Sequence, residues 1–264
     1  MQVGVLALPD DPAVFMPVLR GSTILRGGLD SPPMQEIEDF GPDCCVHCAW
    51  VTTPGEYMTS PLNEVFLEWS YAFLRKLVDS GVKHIVGVGS CAEKLEGEGA
   101  DSAYTSSKRK LHCFLSDLDG VLVSWARVFY VYGSGEPKDK FVSWVMRNLL
   151  EKKKFEVRSP GAEKDYIYVS DVANCLAEIV ACRLGGIYEV GSGELVCLRE
   201  IVEVASESLH VSTNGLVSWG NEQDTLPVGP ADRRTLRRLG SLPCVSLRDG
   251  IGEMVSACRS EGRT

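Results

Sequence analysis

Residues 83–108 read KHIVGVGSCAEKLEGEGADSAYTSSK. Lys83 to Gly89 is a short run of apolar and small residues, the mark of a strand buried on both faces. Ser90-Cys91-Ala92-Glu93 leaves its C-terminal end. A dozen residues on, Tyr104 opens a segment with helical spacing that runs to Asp117. Tyr104 and Lys108 stand at i and i+4, on one helical face. An ammonium beside a phenol favours the phenolate, so Lys108 is expected to lower the pKa of Tyr104. A tyrosine tuned in this way moves a proton at a carbonyl or an alcohol.

The same alternation extends in both directions. Strand-like segments are expected at Gln2–Leu8, Thr23–Leu25, Cys44–Trp50, Val121–Val131 and Ile187–Val190, with a short extended stretch at Asp165–Val169. Helices are expected from Pro32 to Phe40, Leu62 to Ser80, Phe141 to Lys154, Val172 to Cys182 (capped by Ser170-Asp171), Leu198 to Leu209 and Leu247 to Cys258. Leu62–Ser80 carries two apolar stripes and so needs two partners. Continuously apolar strands alternating with helices predict an α/β fold, a parallel sheet with helices on both faces. In such sheets ligands gather at the C-terminal ends of the strands.

The chain has 264 residues, 44% hydrophobic and 24% charged, with a net charge of -9. That acidity argues against nucleic acid or an anionic membrane as the main partner. No apolar run is long enough to span a bilayer, and no secretory signal is evident. The ten cysteines sit mostly inside apolar segments and read as buried thiols of a reducing, cytoplasmic protein. Cys45-x-x-Cys48 lacks a second ligand pair, so no metal site is expected.

Six stretches in order resemble the extended short-chain dehydrogenase/reductases, the nucleotide-sugar epimerase/dehydratase type. They are Pro42–Trp50 (Pro-Asp, apolar strand, His-x-Ala), Val88–Glu93, Arg127–Gly133, Asp165–Ala173, Ile187–Gly193 and Ala231–Gly252. The resemblance implies a Rossmann-like domain over residues 1–133 and 165–190 and a small C-terminal substrate lobe over 134–164 and 191–264. It implies an NAD(P)-dependent epimerase or 4-ketoreductase, with NAD or NADP as cofactor. The partners implied are a nucleotide-diphosphate sugar and a second copy of the chain in a homodimer.

Residue by residue, the catalytic roles fall to Tyr104, Lys108 and either Ser90 or Cys91. The cofactor would meet Asp10, Asp30, Ala49, Trp50, Tyr104, Lys108, Val128 and Phe129. The substrate would meet Glu93, Tyr130 and Lys164. Lys164 keeps the charge of the family's arginine at that place but not its bidentate fork. Glu93 follows Ala92 where dehydratases carry an aspartate, which ranks dehydration below reduction or epimerisation.

The family's Gly-x-x-Gly-x-x-Gly turn, which lets backbone approach a pyrophosphate at a helix N-terminus, does not occur before Cys44. Gln2–Leu8 resembles the family's second strand, so the chain is read as N-terminally incomplete by about one strand and one helix. That leaves three explanations: an incomplete reading frame, a natural truncation that acts as a binding or regulatory protein, or a rearranged fold.

Overall fold

The computed structural model describes residues 2–8, 21–96, 100–223, 227–240 and 242–261. Its strands are β1 (Gly4–Ala7), β2 (Thr23–Arg26), β3 (Cys44–His47), β4 (His84–Ser90), β5 (Leu122–Val128), β6 (Tyr130–Tyr132), β7 (Phe155–Val157), β8 (Glu163–Lys164), β9 (Tyr166–Tyr168), β10 (Gly186–Val190), β11 (Val196–Cys197) and β12 (Val217–Trp219). Its helices are α1 (Met34–Phe40), α2 (Leu62–Asp79), α3 (Ala103–Ser116), α4 (Phe141–Leu150), α5 (Val169–Ala181), α6 (Leu198–Leu209) and α7 (Leu247–Glu261).

The central sheet runs β10-β5-β4-β3, all parallel. Its strands are apolar throughout because both faces are covered. On β4, Ile85 joins a core with Leu67, Leu74 and Leu77 of α2 and Leu111 and Leu115 of α3. Its neighbour Val86 points the other way, into a core with Cys175 and Ile179 of α5. On β5, Trp125 and Ala126 split in the same manner. Alternate side chains leave a strand on opposite faces, so each two-residue step serves both layers. Gly87 makes room for this arrangement: a Cβ there would lie 2.5 Å from the Trp125 ring.

β1 and β2 pair with each other in parallel but form a separate two-stranded sheet. Among the described residues, β1 hydrogen-bonds β2 and no other strand, and β3 hydrogen-bonds only β4. The sheet thus comes in two pieces. The break falls between the strand read as the family's second and the one that follows the family's Pro-Asp.

A third core joins α4, α6 and α7 to Tyr132, Phe155, Val157 and Tyr168. The apolar run expected as one strand from Val121 to Val131 divides here. Phe129 N–H donates to Val190 O, still in the main sheet, whereas Tyr130 N–H donates to Asp165 O, and the chain leaves with β6 to pair β9.

Two of the helix ends that differ from expectation have a local cause. α4 stops at Leu150 rather than Lys154, because Lys152 takes a left-handed φ of 52°. α5 starts at Val169, so Ser170 and Asp171 lie inside its first turn and Tyr168 holds the cap position without a side-chain bond. Asp171 turns instead to the backbone N–H groups of Cys244 and Val245, at 3.0 and 2.9 Å. No described helix is long and apolar enough to cross a membrane.

Candidate active site

The site begins where β4 ends. Ser90 is extended and caps the 3-10 turn Cys91–Lys94. Its hydroxyl accepts from Ala92 N–H at 3.2 Å, while its own N–H donates to Glu93 Oε1 at 2.7 Å. α3 starts with a second capping box. Ser102 accepts from Thr105 N–H at 3.1 Å, and Thr105 Oγ1 accepts from Ser102 N–H at 2.9 Å. These two boxes place Tyr104 in the first turn of α3, with its phenol beside the Ser90 hydroxyl.

The structure brings Ser90, Cys91, Tyr104 and Lys108 together at the C-terminal end of β4. The Ser90 hydroxyl lies close enough to both Tyr104 and Cys91 to favour their charged forms. Burial pushes the Cys91 thiol up to about 12, so it stays protonated and uncharged. Lys108 is 4% exposed. Its Nζ donates to Val88 O at 2.8 Å and sits 4.0 Å from the Trp50 ring centroid, but 5.9 Å from that of Tyr104.

This corrects one expectation. Lys108 was to lower the Tyr104 pKa; instead burial raises it, and the Ser90 hydroxyl offsets this only in part. Burial also brings Lys108 down to about 7, against an upward pull from Glu93 and Cys48. An ammonium stripped of water and turned toward a carbonyl and an indole does little for a phenolate nearby.

Glu93 is a second correction. It was expected at the substrate, but its side chain is 1% exposed and bonded inward. Oε1 takes the Ser90 N–H; Oε2 takes Trp125 Nε1–H at 2.9 Å and Arg127 Nε–H at 3.2 Å. The capping turn aims the side chain into the sheet, where an arginine and an indole satisfy it.

Of the residues expected at a cofactor, Ala49 is exposed, and Trp50 is buried with its indole N–H on Asn63 Oδ1 at 2.8 Å. Val128 and Phe129 are buried at the end of β5, and Asp30 is exposed in a bend after β2. Asp10 lies outside the described residues. Of the residues expected at the substrate, Tyr130 and Lys164 are half-buried, with Lys164 Nζ 5.5 Å from the Tyr130 ring centroid, and the Lys164 charge acts on Cys91.

Sequence reading missed three groups. Tyr57 stands edge-on to Tyr104 at 5.0 Å, and Lys140 Nζ lies 5.5 Å from the Tyr57 ring centroid. Neither belongs to a motif. Asp165, fully buried, accepts four bonds: from Ser192 N–H and Oγ–H at 2.7 Å each, and from Gly193 and Ala231 N–H at 2.9 Å each. It was legible only as one letter of a signature. A groove of about 770 Å³ opens elsewhere, beside the outer faces of α2 and α3, lined by Glu64, Tyr71, Ser106, Arg109, Lys110 and Phe114 among others. Neither Tyr104 nor Lys108 lines it.

Comparison with known proteins agrees with this arrangement. The model of the NAD dependent epimerase/dehydratase family matches residues 24–191, more than half of the 264. CDP-abequose synthase of Salmonella muenchen is 25% identical over 136 residues, 49% of this chain and 46% of that protein. The same enzyme of Salmonella typhimurium is 25% identical over 138 residues. The alignments thus span about half the length of the curated relatives.

Among solved structures, Thermus thermophilus UDP-glucose 4-epimerase with NAD superposes with a TM-score of 0.83 at 22% identity, over 98% of this chain and 91% of that one. A Streptomyces venezuelae dTDP-glucose 4,6-dehydratase with NAD gives 0.81 at 21%, over 98% and 88%. At such identities the likeness is one of fold, a Rossmann-like α/β sheet.

Proposed function

The chain belongs to the NAD dependent epimerase/dehydratase family, and from that premise we propose that it is an enzyme that takes NAD or NADP and a nucleotide-diphosphate sugar and acts as a 4-ketoreductase or epimerase. The observation that carries this reading is the convergence of Ser90, Tyr104 and Lys108 at the end of β4.

The residues fit the nicotinamide end of the cofactor. Lys108 has three hydrogens on Nζ, and Val88 O takes one, leaving donors for ribose hydroxyls. Ala49 offers an exposed small residue at the end of the neighbouring strand. The described residues supply no glycine cradle for the diphosphate, and no step is assigned to that end. When bound, the nicotinamide exchanges hydride with a sugar carbon.

The chain's own part is proton management. Ser90 holds the reacting oxygen, and Tyr104 supplies its proton. Burial keeps the Tyr104 phenol protonated. A protonated tyrosine is ready to donate, which suits reduction of a ketone to an alcohol better than the opening oxidation of an epimerase. Lys164 and Lys140, on the same side as Tyr130 and Tyr57, supply positive charge for a diphosphate.

The test is a fluorescence titration of the 264-residue chain with NADH and NADPH, followed by turnover of nucleotide 4-keto sugars. Tyr104→Phe is expected to remove turnover by about 1000-fold with an unchanged melting temperature; retained turnover would sink the assignment. One observation favours a second reading, a non-catalytic binding protein of the same fold: among the described residues the sheet stands in two pieces, with no bond between β1 and β3. Sugar-nucleotide binding without turnover would select it.

The exposed Leu62 and Val65 on α2 fit the homodimer that the resemblance implies. A monodisperse monomer by light scattering at high concentration would refute that.

A further inference from the structure

The turn that carries Ser90 and the helix that carries Tyr104 follow one another in the chain, and two side chains fix the turn: Glu93 ties it to β5 and Arg109 ties it to α3. Glu93 works from within. Its buried carboxylate takes the Ser90 N–H at 2.7 Å while Trp125 and Arg127 of β5 hold the other oxygen. The space is closed, since a Cβ on Gly89 would lie 2.4 Å from Glu93 Oε1 and 2.6 Å or less from the Trp125 indole. Arg109 works from the outer side. It follows Lys108 on α3, and its guanidinium donates to Glu93 O at 2.8 and 3.1 Å and to Leu95 O at 3.0 Å. The remaining nitrogen pairs with Asp101.

We propose that Glu93 and Arg109 are positioning residues, Glu93 anchoring the Ser90 turn to β5 and Arg109 holding that turn in register with the Tyr104 helix. Neither touches the reacting atoms. The carboxylate is bonded to the Ser90 N–H, an indole and a guanidinium and is closed off from solvent, which suits an anchor of the turn better than the acid of an elimination. A guanidinium forked over two carbonyls fixes distance and angle together, which a single ammonium cannot do. The proposal rests on the reading that Ser90 and Tyr104 carry the chemistry.

Two readouts test it. The first needs no activity: hydrogen exchange at the Ser90 amide. Glu93→Asp shortens the side chain by one methylene and releases that N–H, and exchange is expected to quicken about tenfold, the loss of one charge-assisted bond. Arg109→Ala is expected to do the same, with Arg109→Lys between it and the wild type. Glu64→Gln, which breaks only the exposed pair with Lys110, leaves the amide as it was. Arg109 is partly exposed, so its variants fold even if Glu93→Asp does not.

The second readout is kinetic. Glu93→Asp and Arg109→Ala are expected to lower kcat about 100-fold, as a small misplacement of reacting groups does, with KM within about threefold. The limbs of the pH profile stay in place. Unchanged Ser90 exchange in Arg109→Ala overturns the proposal. So does a rise in KM at constant kcat, which would put Glu93 at the substrate, or loss of a pH limb in Glu93→Gln, which would make it an acid. If the wild-type chain turns over no sugar nucleotide, the functional reading fails while the exchange data still decide the positioning claim.

Discussion

β4 and β1 are both short parallel strands, yet they live differently. β4 is paired on both edges, by β3 and β5, and covered on both faces by helices. Four of its residues in a row, His84 to Gly87, are buried. β1 has one partner and no fully buried residue. Ser90 and the Tyr104 helix stand on the first strand; a ribose-reading acid was expected after the second. The end that holds Ser90 and Tyr104 therefore owes its geometry to a fully enclosed strand, and the other end rests on a two-stranded ribbon. The ribbon sends only Leu25 and, half-buried, Leu6 into the core that lies under β4, and two-stranded pairs are marginal on their own, so the difference predicts unequal stability between the two sheets.

Four measurements break or sharpen that contrast. The largest effect is expected in the core under β4. Leu115→Ala, at a residue with no exposure, should cost about 3 kcal/mol in denaturant unfolding, whereas Leu6→Ala on β1, half-buried, should cost under about 1 kcal/mol. Equal losses would mean that the ribbon is as firmly built as the sheet. Next comes Gly89→Ala. Its new methyl meets Glu93 and Trp125, and the expected penalty is about 2 kcal/mol, with turnover lost as Ser90 shifts; a tolerated alanine would show that the turn yields.

Lys108 gives a smaller, pH-dependent effect. Folding lowers its pKa from 10.5 to about 7. Between those values the unfolded chain binds more protons, so this residue's contribution to stability rises with pH across the window. Below it both states carry the ammonium, and the burial cost is greatest. Lys108→Met is therefore expected to raise the melting temperature most at or below pH 7, the gain shrinking as pH climbs toward 10. A gain independent of pH would mean that Lys108 titrates normally. Least of all, Lys110→Gln, which removes an exposed pair with Glu64, should change stability by under about 0.5 kcal/mol.

Much of the enclosed region was legible in the sequence, and for a physical reason. A strand covered on both faces must be apolar at every step, and a Tyr and a Lys one helical turn apart must share a face; both are local facts. The start of α5 was not legible. Ser170-Asp171 looks like a cap, but Asp171 finds its hydrogens on Cys244 and Val245, more than seventy residues away. Lys108 failed in the same manner. Its spacing from Tyr104 is helical, yet its charge goes to Val88 O on β4 and to Trp50 in the segment after β3. Glu93 follows the Ser90-Cys91 pair and was read as substrate-facing, when Trp125 and Arg127 draw it inward. In each case the placement on an element was readable and the partner was not.

Asp165 carries a different kind of information. Its four hydrogen bonds reach residues 27, 28 and 66 positions further along the chain. One carboxylate therefore clasps three stretches that lie far apart in the sequence: the entry to β9, the turn after β10 and the segment at Ala231. Removing it would release all three at once, which makes this clasp a single point of failure for the edge beside Lys164.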